Sequence, residues 1–361
     1  MAEEAFTKEQ ILQHLASRPR WLIEGVITIN NKEKPVFSKL RPRNSSSIGA
    51  LHCLPLELLH EILGYLDLQS LLRISLVSRH GHAIVEPLPA FRHLLSSAGH
   101  VFRTLTKTKV IGLHSVYTLN SILRSDRCVS CGFYGPFLSL PTAERCCHVC
   151  LFENRSLWMI TLERARDIFV LSRKDMKTLP VMLSVPGHYH IRFETSRKRQ
   201  FSLTSIRAVK ALALKVHGSY DALSAAFAAK HQALAVKSVP LKTLQRYSQV
   251  QEAPLQQLSQ DPITFRSTAN VVIDKFCGMG TIPFPSISES GVENGIWCRG
   301  CELTSNSLWR RQDFTSRISL TVSEPDRFCR GLAYRTHSEA EFLEHAKHCY
   351  SASEVIMQKL L

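Results

Sequence analysis

LHCLPLELLHEILGYLDLQSLLRISLVSRHGHAIVEPLPAFRHLL, residues 51–95, is the stretch that decides the fold of its part of the chain. Its leucines and isoleucines recur three or four residues apart, which predicts a short amphipathic helix that starts at Pro55. Asp67 or Ser70 can cap a second apolar helix, which two prolines then end. Two short helices at a tight corner cannot bury all of these leucines, so we expect some to form an exposed interaction surface.

The composition is typical of a globular chain with two or three packed units. The 361 residues exceed what one core usually serves, and the hydrophobic content is 44%. The N-terminus is acidic and polar, unlike a secretory signal, and no run of about 18 apolar residues predicts a membrane span. We therefore expect a soluble protein of the cytoplasm or nucleus, in which clustered cysteines are metal ligands and not disulfides.

The chain is basic. Lys and Arg total 45 against 30 acidic residues, which gives a formal charge of +15 and favours acidic partners, nucleic acid among them. The basic residues are widely spread, however, so a solvated basic surface is the simpler interpretation.

Five of the eleven cysteines fall within residues 126–154. Four of them form two C-x2-C pairs, which are Cys128 with Cys131 and Cys147 with Cys150. Two such pairs can complete a tetrahedral Zn²⁺ site, and four thiolate ligands leave no open position for water, which favours a structural role. Two alternatives stay open: Cys146 can replace Cys147, and His148 can replace one of the ligands.

A second zinc site is predicted near the C-terminus. The phrase WCRGCE supplies one further C-x2-C pair, and EFLEHAKHC places a histidine and a cysteine one helical turn apart. The four candidate ligands are Cys298, Cys301, His345 and Cys349. Such a site would join the C-terminal helix to a remote loop, and His348 competes with His345 for the histidine position.

The order Leu-Pro-x-Glu-Leu-Leu, Ile-Leu, Leu-Asp, Ser-Leu-Leu-Arg and Val-Ser-Arg within residues 51–95 resembles the F-box. The resemblance implies binding to a Skp-type adaptor protein, and through it to a cullin. It also implies which residues contribute to the adaptor contact or to the small core of the module: Leu54, Pro55, Leu58, Ile62, Leu66, Leu71, Leu72 and Val77. One position departs from the pattern, because many F-boxes carry a tryptophan where this chain has Gly81.

The cysteine phrases RCVSCG, RCCHVCLFEN, WCRGCE and EFLEHAKHC, together with the F-box, resemble a group of fungal F-box domain-containing proteins with cysteine-rich zinc-binding motifs. The fold class that follows is mainly α with small irregular zinc-stabilised segments, in which an F-box helical module precedes a mostly helical zinc-stapled domain. The expected boundaries are an N-terminal helix and flexible linker at 1–50, the F-box at 51–98, the four-cysteine zinc module with a helical region at 99–260, and the C-terminal region with the second zinc site at 261–361.

The predicted function is a non-catalytic, substrate-recruiting subunit of a cullin-RING (SCF-type) ubiquitin ligase, which binds the adaptor through residues 51–95 and an unknown protein target through the remainder. No catalytic motif of the hydrolase, phosphate-loop or metalloprotease type is found. The alternative is a zinc-containing nucleic-acid-binding regulator, in which NRSLWMITLERARDIFVLSRK would be a basic helix. A RING ligase acting alone is disfavoured, because its eight interleaved ligands are not found in one compact region.

Overall fold

The structure, a computed structural model, describes residues 6–29, 49–190, 194–233, 244, 247, 276–289, 291–317 and 325–360. This part is mainly helical, which confirms the predicted fold class. No helix in it is long and apolar enough to cross a bilayer. Its α-helices, in chain order, are α1 (Lys8–Gln10), α2 (Arg20–Ile23), α3 (Leu56–Gly64), α4 (Leu68–Val77), α5 (Arg79–Val85), α6 (Pro89–Lys107), α7 (Val116–Leu123), α8 (His148–Glu153), α9 (Leu162–Ile168), α10 (Arg173–Met176), α11 (Ile206–His217), α12 (Tyr220–Ala233), α13 (Arg299–Asn306), α14 (Leu308–Arg317), α15 (Pro325–Tyr334), α16 (Glu339–His348) and α17 (Ala352–Leu360).

The strands are short and form small sheets. They are β1 (Ala16–Ser17), β2 (Phe137–Ser139), β3 (Glu144–Cys146), β4 (Met159–Thr161), β5 (Met182–Leu183), β6 (Gly187–His190), β7 (Glu194–Arg197), β8 (Ser202–Ser205), β9 (Thr281–Pro283), β10 (Ser286–Ser288), β11 (Gly291–Glu293) and β12 (Trp297–Cys298). Two sheets have three strands, in the orders β3-β2-β9 and β4-β8-β5, and all pairs are antiparallel. Strands from distant parts of the chain therefore tie the helical regions together.

The helices α3, α4 and α5 form an N-terminal helical module, with one more break than the sequence predicted. The second helix ends at Val77 and does not continue to the prolines, because Ser78 is extended and its hydroxyl accepts the amide N–H of Gly81 at 2.9 Å. Asp67 caps α4 in the same way, accepting from the amide of Ser70 at 2.9 Å. A short polar side chain at each helix start satisfies a backbone donor that has no partner within the helix.

The N-terminal segment, predicted as a helix followed by a flexible linker, contacts distant parts of the chain. The helix α1 continues as a π-helix at Ile11–Leu15. The strand β1 then pairs with β12, and the paired residues Ser17 and Trp297 are 280 positions apart in the chain. Leu15 is fully buried in the C-terminal core. The residues that follow pack elsewhere, since Leu22 and Val26 lie in the core around the first cysteine segment and Ile27 in the core of the helical module. Residues 30–48, which include nearly all of the predicted linker ending in RPRNSSSIG, lie outside the described residues.

Three groups of buried apolar side chains make the core. The first joins the N-terminal helical module, α6 and α7 to the strands β2, β4 and β9. The second surrounds the first cysteine segment and packs α9, α11 and α12, and the third surrounds the second cysteine segment. Each of the two cysteine segments therefore lies at the centre of its own core. The helical module, in contrast, buries only one side against the rest of the chain.

The buried side chain of Arg145 in β3 connects the end of α7, the turn before β2 and the segment after β9. Its guanidinium donates to the carbonyl oxygens of Ile122 and Gly135 at 2.8 and 2.7 Å, and to those of Phe284 and Pro285 in the β9–β10 segment. Burial lowers its pKa to about 10, while the side chain lies over the Phe284 ring at 5.0 Å. A buried cation with this many carbonyl acceptors fixes where α7, β2 and β9 meet.

Candidate functional site

A stripe of exposed apolar side chains runs along α3. Leu58, Ile62 and Tyr65 follow one another at intervals of four and three residues, so they lie on one face of the helix, while Leu59 and Leu63 face the core. The three side chains of this α3 stripe are 53%, 47% and 67% exposed. Contiguous apolar surface of this kind is uncommon where nothing covers it, so the stripe is a candidate interaction surface.

The other residues predicted for the adaptor contact lie at different depths. Pro55 and Val77 are exposed, as are the first two members of the α3 stripe. Leu71 is completely buried, and it therefore belongs to the core of the module, which is the second of the two roles that the resemblance implied. The remaining three are half-buried: Leu54, Leu66 and Leu72.

Gly81 stands where many F-boxes carry a tryptophan, and the packing explains the glycine. The helix α5 crosses α4 so closely that a Cβ atom on Gly81 would lie 2.4 Å from the backbone oxygen of Ile74. No side chain fits between the two helices at this point. The contact that a tryptophan at position 81 would make with an adaptor is therefore missing from the helical module.

Tyr117 of α7 extends the α3 stripe from outside the F-box stretch. Its ring lies over Gly64, where a Cβ atom would come within 2.2 Å of the ring. The ring packs edge-on against Tyr65 with 5.3 Å between centroids, and its hydroxyl donates to Glu61 at 3.0 Å. Sequence reasoning missed both tyrosines; the spacing from Ile62 could have revealed Tyr65, whereas no sequence signal indicates Tyr117.

Four cysteines that could hold a metal ion are brought together by the fold, and we call this set the first metal cluster: Cys128, Cys131, Cys147 and Cys150. The first pair lies in the turn before β2, where Gly132 has a positive φ of 74° and lets the chain reverse. Cys147 caps α8, and Cys150 lies in the first turn of that helix, with its amide directed at the Cys147 sulfur at 3.4 Å. The predicted set of four is thus assembled from a turn and a helix start.

The spacing of these sulfur atoms fits a tetrahedral ion. All four lie within 4.8 Å of one another, and Cys131 and Cys147 are 3.7 Å apart. Zinc–sulfur bonds of about 2.3 Å at tetrahedral angles place neighbouring sulfurs about 3.8 Å apart. The cysteines are free thiols, and none forms a disulfide. Three of them are buried, so the set could hold a metal ion away from solvent.

Hydrogen bonds within the first metal cluster shift the pKa values of its thiols in opposite directions. Hydrogen bonds from Cys131 and the other two thiols hold the pKa of the Cys128 thiol well below its usual range. The pKa of Cys147 is raised well above that range, mainly because it hydrogen-bonds to the Cys128 sulfur. Four thiolates in so small a volume need a cation, and a bound divalent ion would stabilise the ionised form of all four.

Cys146 and His148, the two alternative ligands, lie outside the first metal cluster. Cys146 is buried in β3, where burial raises the pKa of its thiol. The His148 ring is enclosed by aromatic side chains, with centroids 4.4 Å from Phe152 and 5.1 Å from Tyr334. Burial lowers the pKa of His148 to about 3, so this histidine is a neutral core residue.

The second metal cluster joins residues that are far apart in sequence: Cys298, Cys301, His345 and Cys349. Cys349 lies 3.5 Å from the sulfur of Cys298 and 4.0 Å from that of Cys301. The Nε2 atom of His345 lies 3.3 Å from the Cys301 sulfur, close to the roughly 3.5 Å expected for a tetrahedral zinc with one imidazole. His348, the competing histidine, is exposed and lies beside Glu344.

Neighbouring residues shape the second metal cluster. A Cβ atom on Gly300 would lie 2.6 Å from the Cys349 sulfur, so the glycine of WCRGC permits the close approach of α13 to the end of α16. The ring of His337 stacks on His345 at 4.7 Å and 19°. Burial lowers the pKa of His337 to about 3, which keeps this neighbour uncharged. Hydrogen bonds from Cys301 and Cys349 hold the pKa of Cys298 far below its usual range.

Comparison with known proteins places one part of this geometry in a family. The family model of the F-box domain matches residues 51–86, which span α3 to α5 and include the α3 stripe. No curated protein and no solved structure matches the chain. F-box domains typically bind a Skp-type adaptor and through it a cullin, and proteins that carry them are in general non-catalytic substrate receptors of ubiquitin ligases.

Proposed function

We propose that this chain is the substrate-recruiting subunit of an SCF-type cullin-RING ubiquitin ligase and docks on its Skp-type adaptor through the α3 stripe. One observation carries the proposal: within the stretch that matches the F-box domain, Leu58, Ile62 and Tyr65 lie on one helix face and about half or more of each is exposed. Covering the exposed halves of three such side chains would contribute about 2–4 kcal/mol to association.

The docking surface of the proposal reaches beyond the F-box stretch. Tyr117 lies against Tyr65 and turns the end of the α3 stripe into an aromatic pair. Exposed aromatic groups contribute large contact areas at protein interfaces with few rotatable bonds to immobilise. Because Gly81 cannot supply the usual aromatic contact, this pair would give the adaptor an aromatic anchor on another part of the module.

The mechanism is positional and involves no chemistry by this chain. The F-box end is held on the adaptor, and the remainder holds a protein target, so the target has a high effective concentration near a charged ubiquitin-conjugating enzyme. Rigid spacing between the two ends makes such tethering productive. The continuous core between the F-box helices and the strands β2, β4 and β9 supports a fixed spacing.

Zinc is the ion proposed for both metal clusters, with a structural role. Four thiolates, or three thiolates and a neutral imidazole, are a ligand set typical of structural zinc, and a closed set leaves no position for an activated water. When bound, zinc would supply cross-links between a turn and α8, and between α13 and α16. The ligand residues themselves hold these elements in place and take no part in a reaction.

The alternative of a nucleic-acid-binding regulator has weaker support from the structure. The stretch expected to be a basic helix is divided into a 3₁₀ turn at Arg155–Leu157, β4 and α9. Its apolar residues Trp158 and Ile160 are buried, so it does not present one continuous basic face. A steep salt dependence of duplex-DNA binding would favour this alternative. The kinship with a fungal group, and a location in the cytoplasm or nucleus, stay predictions.

The experiment that tests the proposal is co-purification with a Skp-type adaptor. The unaltered chain should form a stable one-to-one complex, whereas the double variant Leu58→Glu/Ile62→Glu should lose it, because two charges would have to be buried. The matched control is Leu308→Glu/Met357→Glu, which changes two similarly exposed apolar residues outside the F-box. Undiminished binding by the stripe variant, or equal loss in the control, would contradict the proposal.

A further inference from the structure

One short segment lies between the two metal clusters. Tyr334, at the end of α15, packs its ring 5.1 Å from His148, which directly follows a ligand of the first metal cluster. Three residues later His337 exchanges backbone hydrogen bonds of 2.9 Å with Ile296, just before the second metal cluster begins, and stacks on its ligand His345. The residues between these two points, Arg335 among them, are therefore close to both clusters.

The guanidinium of Arg335 packs on an aromatic ring beside the first metal cluster. The Cζ atom of its guanidinium lies 3.8 Å from the ring centroid of Phe133, whose carbonyl oxygen accepts the amide of Cys128 at 2.7 Å. Its Nε atom is buried and has no hydrogen-bond acceptor. Within the described part of the chain, no carboxylate lies within ion-pair distance of this guanidinium. The cation is thus held beside the first metal cluster by stacking and backbone connectivity.

Charges from both clusters act on this arginine. Burial lowers the pKa of the Arg335 guanidinium, as expected for a cation removed from water. The negative groups that oppose this effect belong to Glu341 and to both clusters, namely Cys131, Cys301 and Cys147. This agrees with the geometry, in which the chain on one side of Arg335 contacts the first metal cluster region and on the other side the second.

Metal loading would change the charge around Arg335 in a favourable direction. Zinc with four thiolates carries a net charge of −2, and zinc with three thiolates and a neutral histidine carries −1. Two loaded centres thus bring negative charge to both sides of a half-buried cation. In surroundings of low dielectric constant such an arrangement favours the loaded state and weakens the repulsion between the two centres.

We propose that Arg335 is a positioning residue and the shared counter-charge of the two metal centres, and that it raises the zinc affinity of both. The proposal rests on the zinc sites of the proposed function and is independent of adaptor docking. It goes beyond the ligand sets themselves, because it makes a residue that binds no metal part of both sites. Loss of an outer group that hydrogen-bonds a ligand typically lowers metal affinity 10-fold to 100-fold, and we expect the lower end of this range for Arg335, which acts through its charge.

The test compares three full-length variants. Arg335→Met removes the charge and keeps much of the side-chain volume, and Arg335→Lys keeps the charge. Arg330→Met is the control, because it removes an exposed charge from α15, which ends just before Arg335. Cadmium is substituted into both centres, whose different ligand sets give separate NMR signals, and a chelator is added stepwise. Zinc affinity is measured in parallel by competition with a chelator of known affinity.

The expected result is that Arg335→Met loses metal from both centres at about 10-fold lower chelator concentration, while Arg335→Lys and Arg330→Met behave like the unaltered chain. A change at one centre alone would show that Arg335 serves that centre only and would overturn the shared role. An equal loss in Arg335→Lys would show that stacking on Phe133, and not charge, matters. If the methionine variant does not fold, Arg335→Gln, which also removes the charge, gives the same comparison with Arg335→Lys.

Discussion

The crossing of α4 and α5 gives the most demanding prediction, the effect of Gly81→Ala. In most helices this substitution is favourable, because alanine exceeds glycine in helix propensity by about 1 kcal/mol. Here the added Cβ atom would lie 2.4 Å from the backbone oxygen of Ile74, about 1 Å closer than an ordinary van der Waals contact. Since the obstacle is backbone, no rotamer change can relieve it, and the two helices must separate.

The net cost follows from these two opposing effects. Forcing an extra methyl group into packed structure costs about 3 kcal/mol at the upper end of the usual range, and the gain in propensity offsets about 1 kcal/mol. We therefore expect Gly81→Ala to lower the free energy of unfolding by about 2 kcal/mol. For a cooperative unit of about 150–250 residues this corresponds to a decrease in Tm of roughly 4–8 °C.

The assay is urea and thermal unfolding of the zinc-loaded chain, with Gly99→Ala as the matched control. Gly99 lies in α6, which packs in the same core, and nothing lies within 4 Å of its added Cβ atom, so the control should raise stability by about 0.5–1 kcal/mol. Gly81→Trp, which restores the residue that many F-boxes carry, should destabilise further and should not strengthen adaptor binding. A Gly81→Ala variant as stable as the Gly99→Ala control would refute the reasoning.

Three further outcomes are expected. Cys147→Ser should lower the zinc content by about one ion per chain, whereas Cys146→Ser, which changes the adjacent cysteine, should leave the zinc content unchanged. Elemental analysis measures both, and an equal loss in the two variants would contradict the ligand assignment. Arg145→Met should lower the free energy of unfolding by about 3–5 kcal/mol, because it leaves several buried carbonyls without their donor. Urea titration measures this change, and a loss below about 1 kcal/mol would refute the prediction. Burial lowers the pKa of His100, so its neutral form stabilises the fold at neutral pH, and this stability is lost as pH falls below the unfolded value of about 6.5. His100→Asn should therefore weaken the pH dependence of unfolding between about pH 7 and 5, and an unchanged dependence would contradict this.

Much of the candidate site was predictable because its chemistry is local. The two C-x2-C pairs of the first metal cluster need only a turn and a helix start, which a few neighbouring residues specify. The spacing of the leucines in residues 51–95 likewise predicted short helices with more apolar residues than they can bury against each other. The second metal cluster depended on a contact across 44 residues between Cys301 and His345, so spacing suggested the ligands but could not bring them together.

Other features of the proposed sites could not be predicted from the local sequence. Tyr117 joins the proposed docking surface because α7 packs over Gly64. Arg335 lies near both metal clusters because Tyr334 before it contacts His148 and His337 after it stacks on His345. The pairing of β1 with β12 has the same origin, since two-residue strands have no pattern of their own and form where distant segments meet. Contacts of this kind are set by packing and not by periodicity.

The sequence alone determined the helical module and indicated the candidate ligand residues, because helix period and ligand spacing depend on residues within a few positions of each other. The tertiary structure alone decided which apolar residues face solvent. It left Leu58 and Ile62 exposed and buried Leu71, although all three are aliphatic residues of the same short module. The reason is that a side chain becomes surface or core only when the remaining helices and strands occupy one side of the module and leave the other side open.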